Sequence, residues 1–208
     1  GLNQSQRAHL FAKAVHQTIR GHNSLTGALL ITDPLRERIE DRLTSPFVDE
    51  DRRIVLFRWL ESLAWEVPPA YVKEGSLEHI LPQRPQPGSQ WLADFPDEDQ
   101  RHGLCNSIGN FALIDAETNT QLANADFTVK KDALVSASAR YKTLLGLGGT
   151  PSWTEQIIHQ RTHETRSAVL RGLGLPLKWC NPPSRTGHAL ITRDLLGTRR
   201  PNWLKNPA

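Results

Sequence analysis

The chain has 208 residues, 38% of them hydrophobic and 23% charged, which is enough apolar material for a sizeable core. No run approaches the roughly 18 apolar residues that a membrane span requires, and no signal-peptide pattern opens the chain, so the expected setting is the cytoplasm with no membrane contact. Only Cys105 and Cys180 are present, without a CxxC pair, which argues against a disulfide framework and against a structural zinc.

The net charge of +3 says little until it is divided along the chain. Residues 176–208 hold six basic side chains against one acid, a net of +5 that leaves −2 for the remainder. That basic tail, Arg199 and Arg200 included, is a candidate nucleic-acid contact, although charge runs often serve only solubility. The sequence contains no Met and begins Gly-Leu-Asn, which reads as a piece of a longer protein behind a residual tag glycine.

In chain order, Asn3 to Arg20 place Leu10, Ala14, Val15 and Ile19 at helical spacing, with Gly21 as a stop. Asp33-Pro34 predicts a cap followed by proline in the first turn, and Leu35, Ile39 and Leu43 form the stripe of a second helix ended by Ser45-Pro46. A third helix, from about Asp49 to Ala64, starts acidic and is expected to bury Ile54, Leu56, Phe57 and Leu60. Residues 1–66 thus read as a helical scaffold.

Val67-Pro68-Pro69 breaks the helical run and introduces a short strand that ends Glu78-His79-Ile80-Leu81-Pro82. After a proline-rich loop, Trp91 to Phe95 predicts an apolar turn docked on the core, and Asp97-Glu98-Asp99 opens a helix to about Ser107. Gly109 releases the chain into a second strand, Asn110 to Ile114. A helix follows near Glu117, with Asn119 in its first turn, and another runs from Asp126 towards Ser138. Gly146 to Gly149 reads as a flexible break, and Ser152 as the cap of a long helix with Trp153, Ile157, Arg161 and Ala168 near one face, ending around Gly172. In the tail only Ala189 to Leu196 looks regular.

Three segments in order, SLEHILPQRP, LCNSIGNFALID and ETNTQLANADFTVKK, give a strand, a strand and a helix, each delivering a polar side chain towards one point. Hydrolysis of a phosphodiester needs a water deprotonated in line with the leaving oxygen and a source of positive charge at the phosphate. Histidine suits the first task near neutral pH, and a hard divalent ion held by oxygen ligands suits the second.

On these residues the chain resembles the HNH, or ββα-metal, endonucleases, and within them the C-terminal nuclease domain of GmrSD-type modification-dependent restriction enzymes and the related SspE phage-defence proteins. The likeness extends over about Asp51 to Gly172, with RRIVLFRWLE before the core and WTEQIIHQRT after it. It implies a mainly α fold with a small ββα-metal core: a helical scaffold at 1–66, the core at 67–137, packing helices at 138–175 and the basic tail at 176–208. It further implies that His79 is the general base, that Asn110 orients the loop carrying it, and that Glu78 and Asn119 ligate one Mg²⁺ or Mn²⁺, with Asn124 as substitute for Asn119. Successive strand residues point to opposite faces, so Glu78 and His79 cannot project alike. Lys130 and Lys131 are expected near a DNA phosphate, as are Arg101 and Arg161, the last with a buried structural pairing as the equal alternative; His102 and Asn106 are further candidates to line the site.

The implied partner is double-stranded DNA, and the implied protein is a bacterial defence enzyme whose preceding part binds nucleotide and senses DNA modification. This sequence has no GxxxxGK[ST] phosphate loop, so nucleotide hydrolysis is not expected here. A non-catalytic DNA-binding module and a nuclease for structured RNA are the competing readings.

Overall fold

The computed structural model describes residues 3, 5–6, 32–47 and 50–173. All but residues 3, 5 and 6 of the expected helix at 3–20, and the basic tail with Arg199 and Arg200, therefore lie outside the described residues. The chain divides into two compact units between Asp41 and Arg42. Helix α1 (Asp33–Thr44) crosses that boundary; Arg36 N donates to Thr32 O, so the helix starts one residue earlier than Asp33-Pro34 predicts, and Arg36 and Glu40 pair at 2.8 Å one turn apart.

The larger unit is mainly helical around a two-stranded sheet. Its elements are α2 (Glu50–Leu63), β1 (Ser76–His79), α3 (Gln90–Asp94), α4 (Glu98–Cys105), β2 (Phe111–Ile114), α5 (Ala116–Leu122), α6 (Phe127–Ala137) and α7 (Glu155–Gly172), joined in places by single 3₁₀ turns. Strands β1 and β2 pair antiparallel, with His79 opposite Phe111, Glu78 opposite Ala112 and Ser76 opposite Ile114.

Helix α2 turns Arg53, Phe57, Leu60 and Glu61 inward, an i, i+4, i+7, i+8 stripe. Ile54 and Leu56, expected in the core on hydrophobicity alone, are half-buried at the edges of that stripe. The stripe covers the sheet face that carries His79 and Phe111: the Phe57 and Phe111 rings meet edge to face at 5.9 Å, and the Arg53 guanidinium lies 4.7 Å over Phe111. The charge of Glu61 is not wasted in the interior. Its carboxylate accepts from Lys142 N, Thr143 N and Trp65 Nε1, which fixes the 3₁₀ turn at Lys142–Leu144 against α2.

The insertion between the strands docks as predicted, through Trp91 and Phe95, both buried beside Phe127 and Trp153; Trp91 Nε1 also donates to Ala125 O. Asp97 caps α4 by accepting from Gln100 N, and Asp115 caps α5 by accepting from Thr118 N. Two local expectations change. Thr154, not Ser152, caps α7 by accepting from Ile157 N, and Ile158 rather than Ile157 faces inward. The stretch from Gly146 to Gly149 is a turn of 3₁₀ helix with Leu147 buried, because that leucine anchors what the glycines alone suggest is loose.

Helix α7 is the back wall. Gly109 sits so close to it that a β-carbon would fall 2.2 Å from Ile158 O and 2.5 Å from Thr162 N, so the glycine is needed for close approach. Arg161 reaches from α7 into the same corner, where Nε donates to Gly109 O at 2.8 Å and Nη2 to Phe111 O at 2.9 Å.

Candidate active site

His79 ends β1 and is half-buried on the α2 face. Its Nε2 lies 3.3 Å from Arg53 Nη1 and 3.1 Å from Gln83 Nε2, and its ring meets Phe111 edge to face at 4.8 Å. Arginine can only donate, so Nε2 accepts and the neutral ring carries its proton on Nδ1. Burial first, then the charges of Arg53 and Lys130, pull the imidazole down to about 4. At neutral pH His79 therefore holds an unprotonated nitrogen within a ring of donors.

The backbone behind His79 is fixed by Asn110, which is completely buried. Asn110 Oδ1 accepts from Leu81 N at 2.8 Å and Trp153 Nε1 at 3.0 Å, while Nδ2 donates to Leu81 O at 2.9 Å and Cys105 O at 3.0 Å. Its own carbonyl takes Ile80 N. One amide thus satisfies both polar groups of Leu81, two residues past the imidazole, and ties that turn to α4 and to the start of α7. Cys105 Sγ adds a contact to Leu81 O at 3.4 Å; burial pushes its thiol up to about 12, so it serves packing rather than reactivity.

Glu78 points to the other face, as alternation requires, and meets α6. It is 4% exposed, and Lys130, with no exposure at all, brings Nζ to 2.5 Å from Oε1. The approach lies off the direction of a hydrogen bond, so this is a charge contact; the directed bond of Nζ goes to His79 O at 2.7 Å. Burial raises Glu78 and lowers Lys130, and their mutual attraction opposes both shifts. The expectation that Lys130 meets a DNA phosphate is therefore corrected: its ammonium is turned inward and shielded by the fold.

Asn119 packs α5 onto the same strand, where Nδ2 donates to Ser76 Oγ at 2.8 Å and approaches Leu77 O at 3.3 Å. That leaves Oδ1 of half-buried Asn119 as an oxygen donor. For a magnesium or manganese ion the two expected ligands differ. Asn119 offers a suitable neutral oxygen, but Glu78 is buried against an ammonium and does not fit, since Mg²⁺ keeps several waters and needs room for them. Among the described residues no three His, Cys, Asp or Glu side chains gather into a metal cluster. Asn124, the substitute, is half-buried just beyond α5.

The expected arginines also go to structural tasks. Arg161 is 1% exposed and bonded to β2's entry, which selects the buried pairing; burial lowers it to about 10, leaving it charged at neutral pH. Arg101 is half-buried with Nη1 donating to Phe95 O at 2.7 Å. Lys131 is half-buried, His102 is exposed, and buried Asn106 donates to His102 O. Two neighbours of the imidazole were not anticipated. Arg53 was legible as the residue one helical turn before Phe57, and Gln83 as the one four places after His79.

A ββα core within a mainly helical unit, with a histidine held at the strand end by a buried asparagine, is the build of a nuclease domain of restriction enzymes. The chain belongs to the family described as GmrSD restriction endonucleases, C-terminal domain, whose model matches residues 32–166. No curated protein and no solved structure matches it. Among the described residues no helix is long and apolar enough to cross a membrane.

Proposed function

We propose that this domain is an HNH-type DNA endonuclease, the effector part of a restriction or defence protein, and that it cuts one strand at a time with His79 as general base. The observation that carries the reading is His79 itself: a half-exposed imidazole, neutral at physiological pH, whose Nε2 accepts from buried Arg53 and exposed Gln83 and whose backbone Asn110 locks. Nε2 would take the proton of the attacking water once that water displaces Gln83, the exposed one of its two donors.

A base held near 4 is weak for that task, yet the cause of its depression also suggests the remedy. Arg53 places positive charge beside the ring, which favours an anionic phosphate nearby; a bound phosphate would in turn raise the imidazole's affinity for a proton. Arg53 and Gln83 orient the ring, and Asn110 keeps its strand end from drifting. A divalent ion, Mg²⁺ or Mn²⁺, would supply charge neutralisation at the phosphate and leaving oxygen, with Asn119 as the residue offering it an oxygen. One His79 supports one cut per encounter.

The test is supercoiled plasmid incubated with the wild-type chain and with His79→Ala, in Mg²⁺ or in EDTA. Open circles forming ahead of linear DNA, only with metal and only with His79, are expected. Equal cleavage by His79→Ala would sink the base assignment, and linear DNA from the first time point would sink the single-strand reading.

A further inference from the structure

Lys130 is the one fully buried lysine among the described residues, and it makes two contacts at neighbouring positions of one strand: the Glu78 carboxylate at 2.5 Å and the His79 carbonyl at 2.7 Å. An ammonium has three donors and no acceptor, so it binds these two oxygens without needing any other partner type. It reaches them from α6, an element reached only after the chain has left the sheet and passed through α5. The link therefore ties the end of β1 to α6, while Asn110 and Arg53 hold the same strand end through their own contacts.

A divalent ion on Glu78 would have to share a buried carboxylate with that ammonium. Two cations a few ångströms apart repel, and the buried carboxylate leaves no room for the waters that Mg²⁺ retains. Removing the ammonium would leave Glu78 buried and uncompensated, which is strongly unfavourable.

We infer that Lys130 is the resident counter-ion of Glu78, that the pair positions His79 through the strand end rather than ligating metal, and that the metal of the proposed reaction is met by Asn119. This deepens the nuclease reading and rests on it for the role of His79. Lys130 and Glu78 are positioning residues; neither touches substrate.

Two measurements on the full chain test it. In the first, Mn²⁺ alone is titrated by electron paramagnetic resonance, without DNA. Glu78→Gln should bind Mn²⁺ within about twofold of wild type, and Asn119→Ala should bind about tenfold or more weakly. A folded Glu78→Gln that loses tenfold overturns the inference, as does Mn²⁺ binding that Asn119→Ala leaves unchanged or that wild type lacks altogether.

In the second, a double-mutant cycle is read by thermal unfolding. Glu78→Met and Lys130→Met should each lower the midpoint by on the order of 10 °C, and the double Glu78→Met/Lys130→Met should recover most of that loss. Additive losses would overturn the pairing. The double variant, folded but without its clamp, should show kcat lowered at least tenfold with KM for DNA unchanged; a wild-type kcat overturns the positioning role. Should the wild-type chain cut no DNA at all, the nuclease reading and the positioning role fall with it, while the Mn²⁺ titration and the thermal cycle still decide the pairing of Glu78 and the part of Asn119.

Discussion

Asn110 and Leu81 exchange two hydrogen bonds, Leu81 N to Oδ1 at 2.8 Å and Nδ2 to Leu81 O at 2.9 Å, so that a side chain imitates a strand partner for one residue of the turn behind His79. The same amide holds Cys105 O and Trp153 Nε1. Asn110→Ala removes the amide's bonds to four buried polar groups, leaving Leu81 O only the weak Cys105 thiol, and is expected to cost about 3 to 5 kcal/mol, read as a lower midpoint in urea unfolding. Asn110→Asp keeps the acceptor, loses both donors and buries a charge, and should be no milder. A loss under about 1 kcal/mol for Asn110→Ala would show that the network is dispensable.

Stability should carry a signature of His79 between about pH 6.5 and pH 4. The folded value is lowered, to about 4, and the unfolded value is near 6.5, so within that window the unfolded chain binds the extra proton. Stability from this group is complete above about 6.5, falls as pH drops through the window, and changes no further below about 4. The total is at most about 3 kcal/mol. His79→Phe should flatten that part of the stability–pH curve, and a slope equal to wild type would assign the proton uptake elsewhere.

Arg53→Met removes the donor at Nε2 and one of the charges that depress the imidazole, while keeping a flexible apolar stem over Phe111. The His79 ring should then titrate higher by NMR but stay below 6.5, because burial, the larger cause, persists. An unchanged titration would mean that Arg53 serves only to pack.

Ala123 closes α5 with φ 42 and ψ −119, a conformation that only glycine adopts without strain. Ala123→Gly should therefore raise stability by about 1 kcal/mol in denaturant melts, against the usual penalty of adding a glycine. A destabilised variant would show that the methyl group contributes more packing than the backbone loses.

Much of this fold is legible residue by residue. Asp97 marks a helix start and the Asp33-Pro34 pair one to within a residue, Trp91 and Phe95 advertise a docked turn, and SIGNFALI declares both the buried asparagine and its strand. What stays hidden is the direction of charged side chains. Lys130 and Lys131 stand together as a basic pair, and only the phase of α6 sends the first inside and leaves the second half-out. Arg53 and Glu61 fall out of any stripe drawn from hydrophobicity, although they share one with Phe57 and Leu60. Glu78 and its lysine lie 52 positions apart, and their pairing depends on α5 and α6 folding back, which no local pattern records.

The contact between Gly109 and α7 bears on when, during synthesis, the site can exist. The turn that leads into Asn110 takes its shape from Ile158, Thr162 and Arg161, about fifty residues further along the chain. A nascent polypeptide that has emerged only as far as α6 already carries His79, Asn110 and Asn119, but lacks the wall against which their loop is set. The histidine acquires its fixed backbone only once the ribosome has released Glu155–Gly172, so a prematurely terminated product ending before that helix has the residues of the proposed site without their arrangement.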